Sequence, residues 1–226
     1  MAIIQSGASD SVIVNIGEAA AKGLHNIAKP QDYGTLGHYA VSVQTGSIGA
    51  GSAANSELLQ LRWTDSTRVC VITEIVCNGM VAFTAFAAGS ITLNATICRS
   101  WSGDGSGGTP ITLTGDTNQL RASMGASLMG SARVSTTAAL TAGTKTIDSQ
   151  PIGMITSHSS GGVASATPII GSIYLPTPQL YKCDIASGEH PITLVQNEGL
   201  IIRSTVPATG VWVAGFTIKW MELSAF

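Results

Sequence analysis

The chain has 226 residues, a formal net charge of −2, only 11% charged residues and 26 glycines. An ordinary soluble domain carries roughly 25% charged residues, so a free monomer of this composition would be poorly solvated. The 11 Lys and Arg are scattered singly, which argues against a nucleic-acid surface. No apolar run reaches the ~18 residues of a membrane-crossing helix.

In chain order, Met1-Ala2-Ile3-Ile4-Gln5-Ser6-Gly7 lacks the basic and apolar regions of a signal peptide, so synthesis in a cytoplasm is expected. A short β run follows at Ser11-Val12-Ile13-Val14-Asn15-Ile16. Residues 17–25 read as a short helix or turn, with Glu18 and Lys22 four apart, until Lys29-Pro30 breaks it. Residues 1–51 are weakly periodic and rich in small residues. They are expected to be an arm or edge segment, separate from a body at 52–226. Within that arm, Val12, Ile13, Val14 and Asn15 are the candidate docking strand, adding to an exposed sheet edge of a partner.

The core pattern starts near Leu58, where Leu59, Leu61 and Trp63 alternate with Gln60 and Arg62. Residues 69–76 form an apolar, β-branched run that suits a central strand, and 80–87 read as the next strand. From Ile91 to Trp101, Ile91, Leu93, Ala95 and Ile97 alternate against Thr92, Asn94 and Thr96. Residues 102–110 are a Gly-rich loop and 111–114 a short strand. The Ser/Thr/Ala/Gly-rich stretch 118–167 holds short strands near Ala132 and Lys145. Residues 169–175 read as an apolar strand stopped by Pro176 and Pro178. The last three β runs, near Ile192, Ile202 and Phe216, are joined by two short turn clusters and read as an antiparallel meander. In the final run Trp212, Ala214, Phe216, Ile218 and Trp220 share one face, and Val213, Thr217 and Lys219 the other. Many short strands with Gly/Pro turns imply an all-β chain, an antiparallel β-sandwich or jelly roll.

Chemistry-bearing groupings are few. Cys70, Cys77, Cys98 and Cys183 show no CxxC spacing and read as small buried hydrophobes, with a disulfide at Cys98 or Cys183 left open. Simple alternation sends Cys70 and Cys77 to opposite strand faces. Ala142-Gly143-Thr144-Lys145-Thr146 lacks the upstream glycine and the Gly-Lys pairing of a phosphate loop. The 103–108 loop has one aspartate and reads as no calcium site. Asp184, Glu189, His190 and Glu198 lie close in sequence and read as a solvated turn rather than an acid/base site. Trp63, Trp101, Trp212 and Trp220 are candidates for a sugar-stacking platform, but the parity of Trp212 and Trp220 favours core packing. No catalytic residue, cofactor site or metal site is expected, and the chain is not expected to be an enzyme.

Four segments carry a resemblance. Leu61-Arg62-Trp63-Thr64-Asp65, Leu120-Arg121-Ala122-Ser123-Met124-Gly125-Ala126-Ser127-Leu128, His190-Pro191-Ile192 through Asn197-Glu198-Gly199, and Trp220-Met221-Glu222 resemble a family of structural proteins of tailed bacteriophages and prophages. The resemblance runs from about Leu58 to the C-terminus and brings no catalytic residues with it. It implies a virion component, made in the host bacterial cytoplasm. The first expectation within the virion is a capsid decoration (cement) protein. The alternative is a tail, neck or fibre-associated protein, with a carbohydrate-binding module as a third reading. The expected partners are further copies of itself, as a trimer by analogy with three-fold capsid positions, and the major capsid protein or other virion proteins. No nucleic-acid or membrane partner is expected.

Overall fold

The computed structural model describes residues 4–6, 12–14, 37–49, 52, 54–82, 87–113, 118–121, 124–159, 171–173, 178–184 and 189–224. Contacts divide the chain into two units, Met1–Pro30 and Gln31–Phe226. In the first, Ile4–Ser6 (β1) and Val12–Val14 (β2) pair antiparallel, with Gln5 opposite Ile13. Three of the four candidate docking residues therefore have a partner strand within their own unit. Asn15 and the helix expected at 17–25 lie outside the described residues.

The second unit is a β-sandwich, and no helix occurs among the described residues. Its strands are Gly37–Gln44 (β3), Ser56–Trp63 (β4), Val69–Ala82 (β5), Gly89–Gly103 (β6), Thr109–Pro110 (β7), Met129–Val134 (β8), Thr144–Ile147 (β9), Gly153–Ser159 (β10), Gly171–Ile173 (β11), Gln179–Lys182 (β12), Ile192–Leu194 (β13), Glu198–Thr205 (β14) and Trp212–Leu223 (β15). One sheet runs β10-β6-β14-β4-β8-β7, with β9 also on β6. The other runs β3-β15-β5, and β11, β12 and β13 lie in succession along the far edge of β5. The apolar faces of both sheets meet in one core that includes Leu59, Leu61, Leu93, Ala95, Leu200 and Ile202 from the first sheet. The second sheet contributes Ile72, Ile75, Leu194, Phe216 and Ile218.

Strand β15 follows its alternation throughout: Trp212, Ala214, Phe216, Ile218 and Trp220 all enter this core. It is central, paired to β3 on one side and β5 on the other, and Trp220 stacks on Tyr39 of β3 with ring centroids 5.6 Å apart.

Three expectations need correction. The segment before Gly51 is not all arm. Gly37–Gln44 is a full strand of the second unit, and Ile48, wholly buried, exchanges backbone hydrogen bonds with Trp212 at 2.9 and 3.1 Å. Without β3, one side of β15 would lose its hydrogen-bonding partner. The expected meander does not form either. β14 lies between β4 and β6, while β13 and β15 belong to the opposite sheet, so both connecting turns cross between sheets. Short turns permit hairpins. Here the long apolar strands β4, β5 and β6 pair with β14 and β15 instead, and this buries both faces of the core.

The third correction concerns the cysteines. Cys70 and Cys77 face the same core although their numbers differ in parity. The pairing of β5 with β15 skips Thr73, between Ile72↔Trp220 and Glu74↔Lys219. It skips Asn78 as well, between Cys77↔Phe216 and Gly79↔Gly215. Each skipped residue is a bulge that flips the side-chain phase. Cys70 and Ile72, then Ile75 and Cys77, then Met80 and Ala82 all point inward. The same two bulges let 69–82 run as one strand through the Asn78-Gly79 pair, which reads in sequence as a break.

Candidate functional site

A group of interacting side chains lies on the outer face of the seven-stranded sheet. Cys98, Trp101 and Ile201 form a small cluster separate from the main core, and Ile147 of β9 packs against it. Trp101 reaches this face because Ser100 adopts a φ of 50°, which breaks the alternation of β6. Its indole donates to the Gly103 carbonyl at 3.0 Å. The ring lies over Gly199 of β14, where an added Cβ would come within 2.6 Å of it.

Beside Trp101 sits a buried ion pair. Lys145 of β9 donates to Glu57 Oε2 of β4 at 2.8 Å, with side-chain exposures of only 1% and 6%. The ammonium is 4.5 Å from the Trp101 ring centroid and also donates to the Ala142 carbonyl. Gln60, also buried, donates from Nε2 to the same Glu57 oxygen at 2.6 Å and to the Thr141 carbonyl at 2.8 Å. Further along β4, Arg62 donates to Asp104 Oδ1 and to Asn197 Oδ1, each at 3.0 Å. Together these contacts pin the 104–106 and 141–145 loops onto the sheet. Charges withdrawn from water this far require partners of this kind.

A second buried acid lies at one end of the main core. Glu222 of β15 accepts from Ser127 Oγ at 2.6 Å, from the Leu128 amide at 3.1 Å and from Trp220 Nε1 at 3.1 Å. Burial pushes its carboxyl above the ordinary value, against the opposing pull of those hydrogen bonds and of Arg68. The folded protein therefore holds this proton more tightly than the unfolded chain. The resulting stabilisation is complete below the ordinary carboxyl value of 4.5 and is lost as pH rises through the raised folded value. The stability of the wild type relative to Glu222→Gln is expected to fall as pH rises above 4.5, with a slope of at most about 1.4 kcal/mol per pH unit. Urea melts of both proteins at several pH values test this, and a difference independent of pH contradicts it.

The residues singled out from sequence fall as follows. All four tryptophans are buried, so none offers a face for stacking a sugar. Asp184, Glu189, His190 and Glu198 do not form one site. The Asp184 amide donates to Glu189 Oε2 at 2.9 Å, whereas Glu198 pairs with Arg99 at 2.7 Å. Asp104 of the Gly-rich loop is engaged by Arg62, and Lys145 by Glu57. The cysteines are free and buried, Cys98 and Cys183 included. Burial raises the Cys77 thiol to about 11 and Cys98 to about 12, so both stay protonated and unreactive near neutrality. Among the described residues no group of three or more His, Cys, Asp or Glu could hold a metal ion. An open groove of about 250 Å³ at the β7–β8 edge is lined by Asp104, Pro110, Met129 and Arg133. Its Arg133 is tied to the Gly107 carbonyl at 2.6 Å.

The four segments singled out in the sequence contact one another in pairs. Trp63 pairs in register with Glu198 and Met129, its carbonyl accepts from the Asn197 amide at 2.9 Å, and Glu222 holds Ser127 and Leu128. No protein-family model, curated protein or solved structure matches the chain.

Proposed function

We propose that this chain is a structural protein of a bacteriophage virion, and that within the particle it decorates the capsid as a self-associating subunit. One observation carries the reading: Trp63, Ser127, Leu128, Asn197 and Glu222, drawn from the four segments that resemble the phage family, act as packing and hydrogen-bonding residues. Residues engaged in architecture fit a protein whose work is assembly. The low charge of 11% agrees with a surface largely covered by neighbours. We also read the strand order as a jelly roll. Leaving aside the short β7 and β9, the chain visits β3, β4, β5, β6, β10, the β11–β13 group, β14 and β15. One sheet is then β3-β15-β5 with β11–β13, and the other β4-β14-β6-β10. Viral capsid proteins use this double Greek key, as do lectins, so the fold supports the proposal by analogy only.

The Met1–Pro30 unit is the proposed docking element, reaching a neighbouring subunit or the shell through its Val12–Val14 hairpin strand. Mass photometry at micromolar concentration is expected to show a multiple of 23.1 kDa, a trimer first. A stable monomer alone counts against self-association. Deleting Met1–Pro30, which spares β3, should leave the β spectrum unchanged and prevent incorporation into particles. Cryo-EM of the intact particle then locates the subunit; density for it in the tail rather than on the head overturns the decoration role.

A further inference from the structure

The trio on the outer face of the seven-stranded sheet has the makings of a self-modification site. Lys145 supplies a primary amine, Gln60 a carboxamide, and the Glu57 carboxylate touches both. The amine nitrogen is 2.8 Å and the carboxamide nitrogen 2.6 Å from the same Glu57 oxygen. All three residues are shielded from bulk water, the lysine and glutamate side chains at 1% and 6% exposure. Trp101 walls one side. Gly105 brings backbone against the Gln60 amide so closely that an added Cβ would lie 2.6 Å from its oxygen. Amine, carboxylate and carboxamide thus converge on a single oxygen atom in a closed, water-poor setting.

We propose that Lys145 and Gln60 condense into an intramolecular isopeptide bond, with Glu57 as the proton carrier. A proton passes from Lys145 Nζ to Glu57 Oε2 along their hydrogen bond, which frees the amine lone pair. Nζ then attacks Cδ of Gln60. The new Nζ–Cδ bond forms as the Cδ–Nε2 bond breaks. Glu57 returns its proton to the departing nitrogen, which also takes up the second amine proton and leaves as ammonium. A lysine ammonium and a primary amide become a secondary amide and an ammonium ion, so no oxidant, reductant or co-reactant is required. Low water content favours both the proton transfer, since it weakens the charged pair, and the persistence of the amide. The product staples β4 to β9 and closes the whole intervening chain into a covalent loop, a constraint on the unfolded state of the kind a disulfide provides.

Intact-mass spectrometry of the denatured wild-type protein tests this directly. The expected mass is lower than the sequence mass by one ammonia. The tryptic map should contain one branched peptide joining the Gln60 fragment to the Lys145 fragment, with no cleavage after Lys145. Glu57→Gln and Lys145→Arg should each restore the full mass and the two separate peptides. A wild-type protein at full sequence mass after prolonged incubation overturns the proposal without reference to whether the variants fold. Loss of water in place of ammonia, with Lys145 joined to Glu57, overturns it as well.

Discussion

Phe216→Ala is expected to destabilise the protein by about 3–5 kcal/mol, measured by urea unfolding with an unchanged m-value. Phe216 is wholly buried and sits at the middle of β15, the strand flanked on both sides within its sheet. Its partners in register are Val43 of β3 and Cys77 of β5. Neither neighbour is free to collapse into the space the ring would leave, because Val43 is tied into the β3–β15 ladder and Cys77 lies on β5, which is paired on both sides. The cost should therefore fall at the cavity-dominated end of aromatic truncations. Val195→Ala, at an exposed position between β13 and β14, serves as a comparison and should change stability by less than about 0.5 kcal/mol. A loss under about 1 kcal/mol for Phe216→Ala would mean the ring is not enclosed as described.

The same strand shows why part of the fold was legible from sequence. Over Trp212–Trp220 apolar residues recur every second position, and the structure buries them in the main core without interruption, while Met221 and Leu223 enter a separate cluster with Val71. The period-2 rule works while pairing remains regular. Along β5 it does not, because the residues skipped at Thr73 and Asn78 reset the phase, and nothing in a single sequence marks a bulge at a threonine. Strand β3 is a different kind of miss. Tyr39, Val41 and Val43 alternate with Ala40 and Ser42 in plain sight, but the surrounding small residues suggest an arm. The meander failed for a third reason. Local turns specify that the chain reverses, whereas the sheet it enters depends on which distant strands already lie beside the position.

The buried trio was not legible at all. Gln60 and Arg62 alternate with apolar residues and read as solvent-facing, and although a short strand is legible at Lys145, its Ser/Thr/Ala/Gly-rich surroundings give no sign that the ammonium is buried. What turns that face inward is a second layer, the 141–142 loop, the Lys145 side chain and Trp101, laid over a sheet face that alternation assigns to water. A tryptophan displaced by one residue through the Ser100 backbone has no signature in pattern or composition.

That second layer depends on a glycine, and Gly199→Ala is the sharpest test of it. An added Cβ would lie 2.3 Å from the Leu61 carbonyl oxygen and 2.6 Å from the Trp101 ring. The ring could shift, but the carbonyl belongs to β4, which is paired on both sides within the sheet. Relief therefore requires moving one central strand away from another or lifting Trp101 off the surface. Either movement opens the cover over Lys145 and Glu57 to water. Overpacking of this kind costs typically 1–3 kcal/mol, and contact with an immobile backbone places the expected loss at about 3 kcal/mol or above. Gly49→Ala is the control, since an added Cβ there meets nothing within 4 Å, and its effect should stay within about 0.5 kcal/mol. The double variant Gly199→Ala with Trp101→Ala separates the two clashes. If the ring alone were responsible, removing it would make the alanine at 199 nearly neutral in that background. The Leu61 carbonyl remains in place, so the glycine substitution is expected to stay costly there, and the coupling between the two sites should be smaller than the cost of Gly199→Ala alone. Equal stability of Trp101→Ala and the double variant would show that β4 and β14 have more room between them than these distances allow.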